Sequence, residues 1–311
     1  MTELSRKDFL RLLAASAGSL GSIYLAGCLS RDKLISKSLP SSKISPTPIQ
    51  PDPASTEIPS SESTQATAED PKNPQSTPTM ALPDLAVARN GEPEEMTRRA
   101  VEALGGMSRF VKTGDVVVVK PNICVAYHGF QYAATTNPWV VGAIVSMALE
   151  AGAKQVKVMD FPFGGSAEQA YSVSGIEAEV NRAGGKMVVM SQLKFIKTDI
   201  PQGTSIKNAR IFDDVLKADV LINVPIAKHH SLARLTLAMK NLMGIIYNRQ
   251  RMHSNLGQRL ADLNSRVKSN LVIVDAVRML MANGPSGGSL SDVRKTDIII
   301  AEAPRDDAGH N

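Results

Sequence analysis

The sequence predicts an α/β domain: a mostly parallel sheet with helices on both faces, preceded by a signal segment and a disordered linker. Three observations predict it. From Leu85 onward, apolar runs of strand length alternate with segments of helical period, the pattern of strands joined by crossover helices. Two of these runs, Val116–Val119 and Val220–Pro225, are apolar almost throughout, as a strand buried on both faces must be. Polar clusters then follow such runs, Lys120-Pro121-Asn122 after the first and Lys228-His229-His230 after the second. A parallel sheet collects its ligand groups there, outside the carboxyl ends of its strands.

Each element has its own signal. Leu85–Ala88 reads as a strand, followed by a helix around Glu94–Leu104. Lys112-Thr113-Gly114-Asp115 is a turn that launches Val116–Val119. Asn137-Pro138 starts a helix to about Ala151, with Pro suited to a first turn, and Gly152 ends it. Gln155–Met159 is the next strand and closes on Asp160. A helix around Ala167–Arg182 ends at Gly184-Gly185, and Lys186–Met190 is again strand-like. Gln192–Phe212 shows no clear period and reads as an insertion or a small hairpin. Val220–Val224, Leu271–Val274 and Asp297–Ala301 complete the series.

The chain of 311 residues divides by composition into three parts. Residues 1–28 read as a twin-arginine-like lipoprotein signal. Arg6-Lys7 stands before Asp8-Phe9-Leu10, and an apolar, small-residue stretch from Leu12 to Ala26 is too short to span a bilayer comfortably. Leu25-Ala26-Gly27-Cys28 resembles a lipobox, which makes Cys28 the lipidation site. Residues 29–82, dominated by Ser, Pro and Thr, read as a disordered tether. Residues 83–311 are the α/β domain. These features predict export and lipid anchoring to the outer face of a bacterial membrane, in the periplasm or at the cell surface.

Net charge is +5, too modest to imply nucleic-acid binding. Its distribution says more, because Pro225–Lys268 holds a single acid, Asp262, against many Lys and Arg. With Cys28 lipidated, Cys124 is left alone, so neither an intrachain disulfide nor a self-held iron–sulfur cluster is expected. Cys124 itself reads as a small buried residue at a strand end.

If the strands run parallel, the groups after them converge. Lys120 and Asn122, Asp160, Lys228 with His229 and His230, and Asp275 then meet at one edge. Lys120 and Lys228 would repel each other there unless an anion lay between them, and Lys suits phosphate or carboxylate as a point-charge partner. Asn122 and the pair Lys240-Asn241 place amides near ammonium groups, able to orient a ligand oxygen. Gly244 marks a helix stop or a close backbone approach. Adjacent His229 and His230 do not share an ion readily, and the lysines disfavour a cation, so no metal ligand is assigned. Asn283-Gly284-Pro285-Ser286-Gly287-Gly288 reads as an ordinary turn and lacks a P-loop ending.

The elements Val117–Asn122, Asp219–His230, Ala238–Gly244, Val274-Asp275 and Asn283-Gly284-Pro285 resemble the domain-of-unknown-function 362 family. The Lys-Pro-Asn, Lys-x-His, Lys-Asn-x-x-Gly and Gly-Pro elements occur in its order, over roughly residues 84–301. The resemblance puts Lys228-His229-His230 in the Lys-x-His place and implicates His230 over His229. Family members with appended ferredoxin-type cysteines are iron–sulfur proteins; this chain lacks those cysteines. The family also continues past its last strand with an Asp-Pro-Val-Ala-type segment, where this chain has Glu302–Asn311, so a truncated or replaced C-terminus is expected.

The expected function is that of a membrane-tethered enzyme acting on an anionic small molecule or cofactor. His230, Lys228 and Asp275 are the expected catalytic groups, and Lys120, Asn122, Lys240, Asn241 and Asp160 the ligand-binding ones. The alternative is a non-enzymatic lipoprotein that captures an anionic solute or redox cofactor for a membrane partner, a redox protein being one candidate. The cofactor identity is left open.

Overall fold

The computed structural model describes residues 81–304. The signal-like segment, Cys28 and the Ser/Pro/Thr-rich stretch through residue 80 lie outside the described residues, as do residues 305–311. Among the described residues no helix is long and apolar enough to cross a membrane.

The strands are β1 (Leu85–Arg89), β2 (Val116–Pro121), β3 (Gln155–Val158), β4 (Lys186–Met187), β5 (Phe195–Asp199), β6 (Asn208–Phe212), β7 (Val220–Val224), β8 (Ile226–His230), β9 (Arg234–Thr236), β10 (Leu271–Leu280) and β11 (Val293–Glu302). The main sheet runs β1-β11-β10-β7-β2-β3-β4. Its β10-β7-β2-β3-β4 part is parallel, and β11 and β1 add an antiparallel edge. β10 is long enough to serve two partners: Leu271 and Val272 pair with β7, while Asp275 and Leu280 pair with β8. Pro225 divides those partners, because it has no N–H to give a ladder.

The helices are α1 (Pro93–Ala103), α2 (Pro138–Glu150), α3 (Ala167–Val173), α4 (Ile176–Arg182), α5 (Asp213–Leu216), α6 (Ala238–Asn241) and α7 (Leu256–Arg266). Asn137 caps α2, its side chain accepting from Trp139 N at 3.1 Å. Alternation along β2 explains the four-valine run. Val117 and Val119 face a core shared with Val156, Val158, Ile222 and the apolar sides of α1 and α2. Val118 faces the opposite core with Met159, Leu221, Phe212 and Leu263. Both faces are covered, so the run stays apolar until Lys120, near the end of the strand. Lys120 has the parity of Val118 and therefore enters the second layer.

The predicted fold class holds, with differences at boundaries. Lys120 and Pro121 lie within β2, opposite Asn223 and Val224, rather than after it. Lys228-His229-His230 is the end of β8, and Asp275 sits inside β10, since that strand runs six residues past Val274. The segment from Ala167 to Arg182 is two helices, broken at Ser174-Gly175, where Gly175 has φ 77°. The strand expected over Lys186–Met190 shortens to β4. Gln192–Phe212 contains the β5–β6 hairpin, as one of its two expected forms.

Asp262 of α7 secures that hairpin. Its carboxylate accepts from Thr204 N (3.0 Å), Ser205 N (2.6 Å) and Ile206 N (2.8 Å), and from Gln258 Nε2 (2.8 Å). Burial alone would raise its pKa, yet these donors hold it well below the usual carboxylate range. Asp262→Ala leaves three turn amides without their acceptor and should cost about 1–3 kcal/mol. Hydrogen exchange should then speed first at Thr204–Ile206; unchanged protection there would contradict this anchoring role.

Candidate functional site

The second layer buries an ion pair that fixes the site. Lys120 Nζ lies 2.9 Å from Asp160 Oδ1, both side chains almost wholly removed from solvent. Burial pushes the Lys120 pKa down, and Asp160 opposes that shift. The ammonium also donates to Pro121 O (2.7 Å) and Asn241 Oδ1 (3.0 Å), so its three protons are all engaged. Asp160 is satisfied in turn: Oδ2 accepts from Ile123 N at 2.5 Å and Oδ1 from Phe161 N at 2.8 Å. Gly244 makes the arrangement possible. A Cβ at that position would stand 1.9 Å from Asp160 Oδ1 and 2.6 Å from Lys120 Nζ, so this glycine marks a close approach.

Amides carry the order from one lysine to the other. Asn241 Oδ1, which accepts from Lys120, also accepts from Asn122 Nδ2 at 3.0 Å. Asn122 Oδ1 then accepts from Lys228 Nζ at 3.0 Å. Asn241 Nδ2 donates to Lys120 O (3.0 Å) and Asn223 Oδ1 (2.8 Å). Lys228 is buried without a carboxylate partner among the described residues. Its ammonium sits among Asn122 Oδ1, Ala134 O at 2.6 Å and Pro285 O at 2.7 Å, with Cys124 Sγ at 3.5 Å. The Asn283-Gly284-Pro285 turn therefore offers a carbonyl to a cation. Gly284 lets it approach, since a Cβ there would lie 1.8 Å from His229 O.

These groups line a cavity of about 1000 Å³ at the carboxyl ends of β2, β3 and β8. Lys120, Asn122, Asp160, Lys228, His230, Lys240 and Asn241 all contribute to its wall, together with Cys124, Arg249 and His253. Arg249 is held by the carbonyls of Phe161 and Pro162 and stacks over the Phe161 ring at 5.0 Å. Asp160 is the single carboxylate lining the cavity, and Lys120 occupies it. Lys240 differs from the cavity's other lysines, Lys120 and Lys228, in that its side chain has no hydrogen bond or ion pair among the described residues. Burial first, then Lys228, Arg249 and Lys120, push its pKa down to about 8.

His230 is oriented by its own turn. Nδ1 accepts from Leu232 N (3.1 Å) and Ala233 N (3.2 Å), so the neutral ring carries its proton on Nε2. Burial, then Lys240 and Lys228, lower its pKa from 6.5 to about 4. At neutral pH His230 is thus a hydrogen-bond donor. His229 points elsewhere, with Nδ1 accepting from Gly284 N at 3.0 Å.

Asp275 does not join this wall. It is buried in β10, where Oδ2 accepts from Asn137 N at 2.7 Å and Oδ1 from Val277 N at 3.0 Å, and burial raises its pKa to about 6. It anchors the start of α2. Among the described residues, no group of three or more His, Cys, Asp or Glu is placed to hold a metal ion. Sequence reasoning missed Asn223, Arg249 and Thr236. A polar residue interrupting Val220–Val224 was the available signal for Asn223; the Ala134 and Pro285 carbonyls leave no such signal, because any residue supplies one.

A family model described as a domain of unknown function, DUF362, matches residues 117–303. A thylakoid-associated protein from Synechocystis sp. is 28% identical over 219 residues, 66% of this chain and 64% of that protein. The lactate racemase apoprotein from Thermoanaerobacterium thermosaccharolyticum aligns with a TM-score of 0.42 at 13% identity, covering 61% of this chain and 50% of that one. A Thermotoga maritima protein aligns with a TM-score of 0.32 at 11% identity, covering 59% and 51%. This chain therefore spans less than two thirds of the length of each.

Gly244→Ala should force the buried ion pair apart and destabilise the fold by about 3–5 kcal/mol, the usual loss when a buried charge is left unpaired. Chemical denaturation measures it, and a loss below about 1 kcal/mol would mean that the backbone yields instead. His230 gives a pH signature. Its folded pKa lies below its ordinary value, so its contribution is present above about pH 6.5 and lost as pH falls toward 4. Thermal unfolding should show that slope, and His230→Asn, which keeps an acceptor for the two turn amides, should flatten it.

Proposed function

The chain belongs to the DUF362 family of domains of unknown function, and on that premise we propose that its cavity binds an anionic small molecule, carboxylate or phosphate, and acts on it as an enzyme. The observation that carries this reading is the division of labour among its cations. Lys120 and Lys228 spend their protons on protein acceptors and contribute positive potential, while Lys240 and His230 Nε2–H keep donors for a ligand. An amine whose pKa has been brought to about 8 exchanges protons efficiently near neutral pH. Lys240 is therefore the proton-transfer group, and His230 the donor that stabilises negative charge developing on a ligand oxygen. Asn122 and Asn241 hold the lysines at fixed separation. Lys228 acts through the field it sets, and Asp275 through α2.

We place this domain outside the cytoplasm, tethered through Cys28 by the lipobox-like N-terminus. The relative named for thylakoid association supports a membrane-associated setting. A capture protein without turnover is favoured by one observation: the cavity's single carboxylate is occupied by Lys120, which leaves no free carboxylate partner for Lys240. A bell-shaped rate profile separates the two, since capture gives binding alone.

Calorimetric titration with inorganic phosphate and with citrate tests the site. Lys240→Met should weaken binding on the order of tenfold to a hundredfold, the value of a hydrogen bond to a charged group. Wild-type affinity should fall above about pH 8 as Lys240 loses its charge, and Lys240→Arg should remove that fall. Unchanged affinity in both variants would exclude Lys240 as the contact.

A further inference from the structure

Beside the charged cavity lies a second, apolar depression of about 420 Å³. Leu235, Leu237, Leu256 and Leu260 contribute to it, and so do Leu232 and Met239, which are 66% and 49% exposed. Two residues, Leu232 and Lys240, line both spaces. Lys240 thus borders both spaces, and its apolar stem and charged end suit it to a boundary between leucines and a polar cavity. The charged side of this junction contains an unsatisfied group. Thr236 is 2% exposed, lines the cavity, and its hydroxyl has no hydrogen-bond partner among the described residues. Buried hydroxyls are ordinarily paired.

Resting on the reading of the cavity as an anion site, we infer that the ligand is an anionic amphiphile. Its carboxylate or phosphate head lies against Lys240, His230 and the Thr236 hydroxyl, and its unbranched or prenyl chain covers Leu232 and Met239 along the apolar depression. Continuity at Lys240 and Leu232 selects this occupant, because a head held at Lys240 stands at the border of the leucine-lined depression that the same two residues also line. A small polar anion would leave both the depression and the two exposed apolar side chains unused. Chain length then governs affinity. Each methylene removed from water should tighten binding about fourfold until the depression is filled, after which further length adds nothing.

Titration calorimetry of the full chain with n-alkyl phosphates of two to twelve carbons, kept below their micelle concentrations, tests this. Affinity should climb with chain length and then level off, with inorganic phosphate the weakest ligand. Met239→Ser changes a half-exposed side chain that lines the apolar depression and not the charged cavity, so the protein stays folded. It should flatten the climb while leaving phosphate affinity unaltered. Phosphate binding with no dependence on chain length would overturn the amphiphile and leave the anion site standing. Failure to bind any of these anions would overturn both. A climb unchanged in Met239→Ser would mean non-specific adsorption and also overturn the inference. So would binding to phosphatidylglycerol vesicles without binding to monomeric decyl phosphate, which would assign the surface to a membrane instead.

Discussion

The site depends on one buried ion pair. Lys120 and Asp160 come from the ends of neighbouring parallel strands and meet at 2.9 Å, almost wholly removed from solvent. Taking two charges out of water is costly, and their attraction offsets that cost only if the remaining donors and acceptors are also filled. Here they are. Pro121 O and Asn241 complete the ammonium, and the amides of Ile123 and Phe161 complete the carboxylate. Tyr171 adds a hydroxyl to Asp160 O at 2.6 Å, tying the strand end to α3. Each partner is thereby a constraint on a loop: Ile123 on the chain leaving β2, Phe161 on that leaving β3, Asn241 and Gly244 on the segment covering the sheet.

From that pair the order spreads through amides. Asn241 and Asn122 form a hydrogen-bonded sequence that ends on Lys228, so two like charges are held apart by groups presenting oxygen to each of them. A buried network of this kind stabilises a unique arrangement when every member is satisfied. Its consequence for chemistry is indirect. Burial first, and then the positive potential of neighbouring cations, Lys228 among them in both cases, lower the pKa of Lys240 and His230, whose donors remain available.

Much of this was legible in residues taken singly. Lys120, Asn122, Asp160, Lys228, His230, Lys240 and Asn241 were all identifiable from strand-end position and order of motifs, and they line one cavity. Asp275 was not separable from them, because nothing local distinguishes a carboxylate facing a cavity from one facing the start of a helix. The roles of Lys120 and Lys228 were also beyond local reading. Whether an ammonium can meet a ligand depends on how many acceptors surround it, and two of those around Lys228 are backbone carbonyls 94 and 57 residues away in sequence.

The sequence by itself determined the α/β class, the order of its elements and the identity of the polar groups that would gather. Periodicity and strand-end polarity are local properties, set by which faces of an element must be apolar. Only the tertiary structure decided which groups are saturated and which are left to act. It broke the expected helix at Gly175, carried β10 six residues beyond its apolar run, and aimed His230 Nδ1 at two turn amides. It also set the apolar depression beside the charged cavity, with Leu232 and Lys240 in both walls. Hydrogen-bond saturation and burial are properties of neighbours in space, and packing, not sequence spacing, chooses those neighbours.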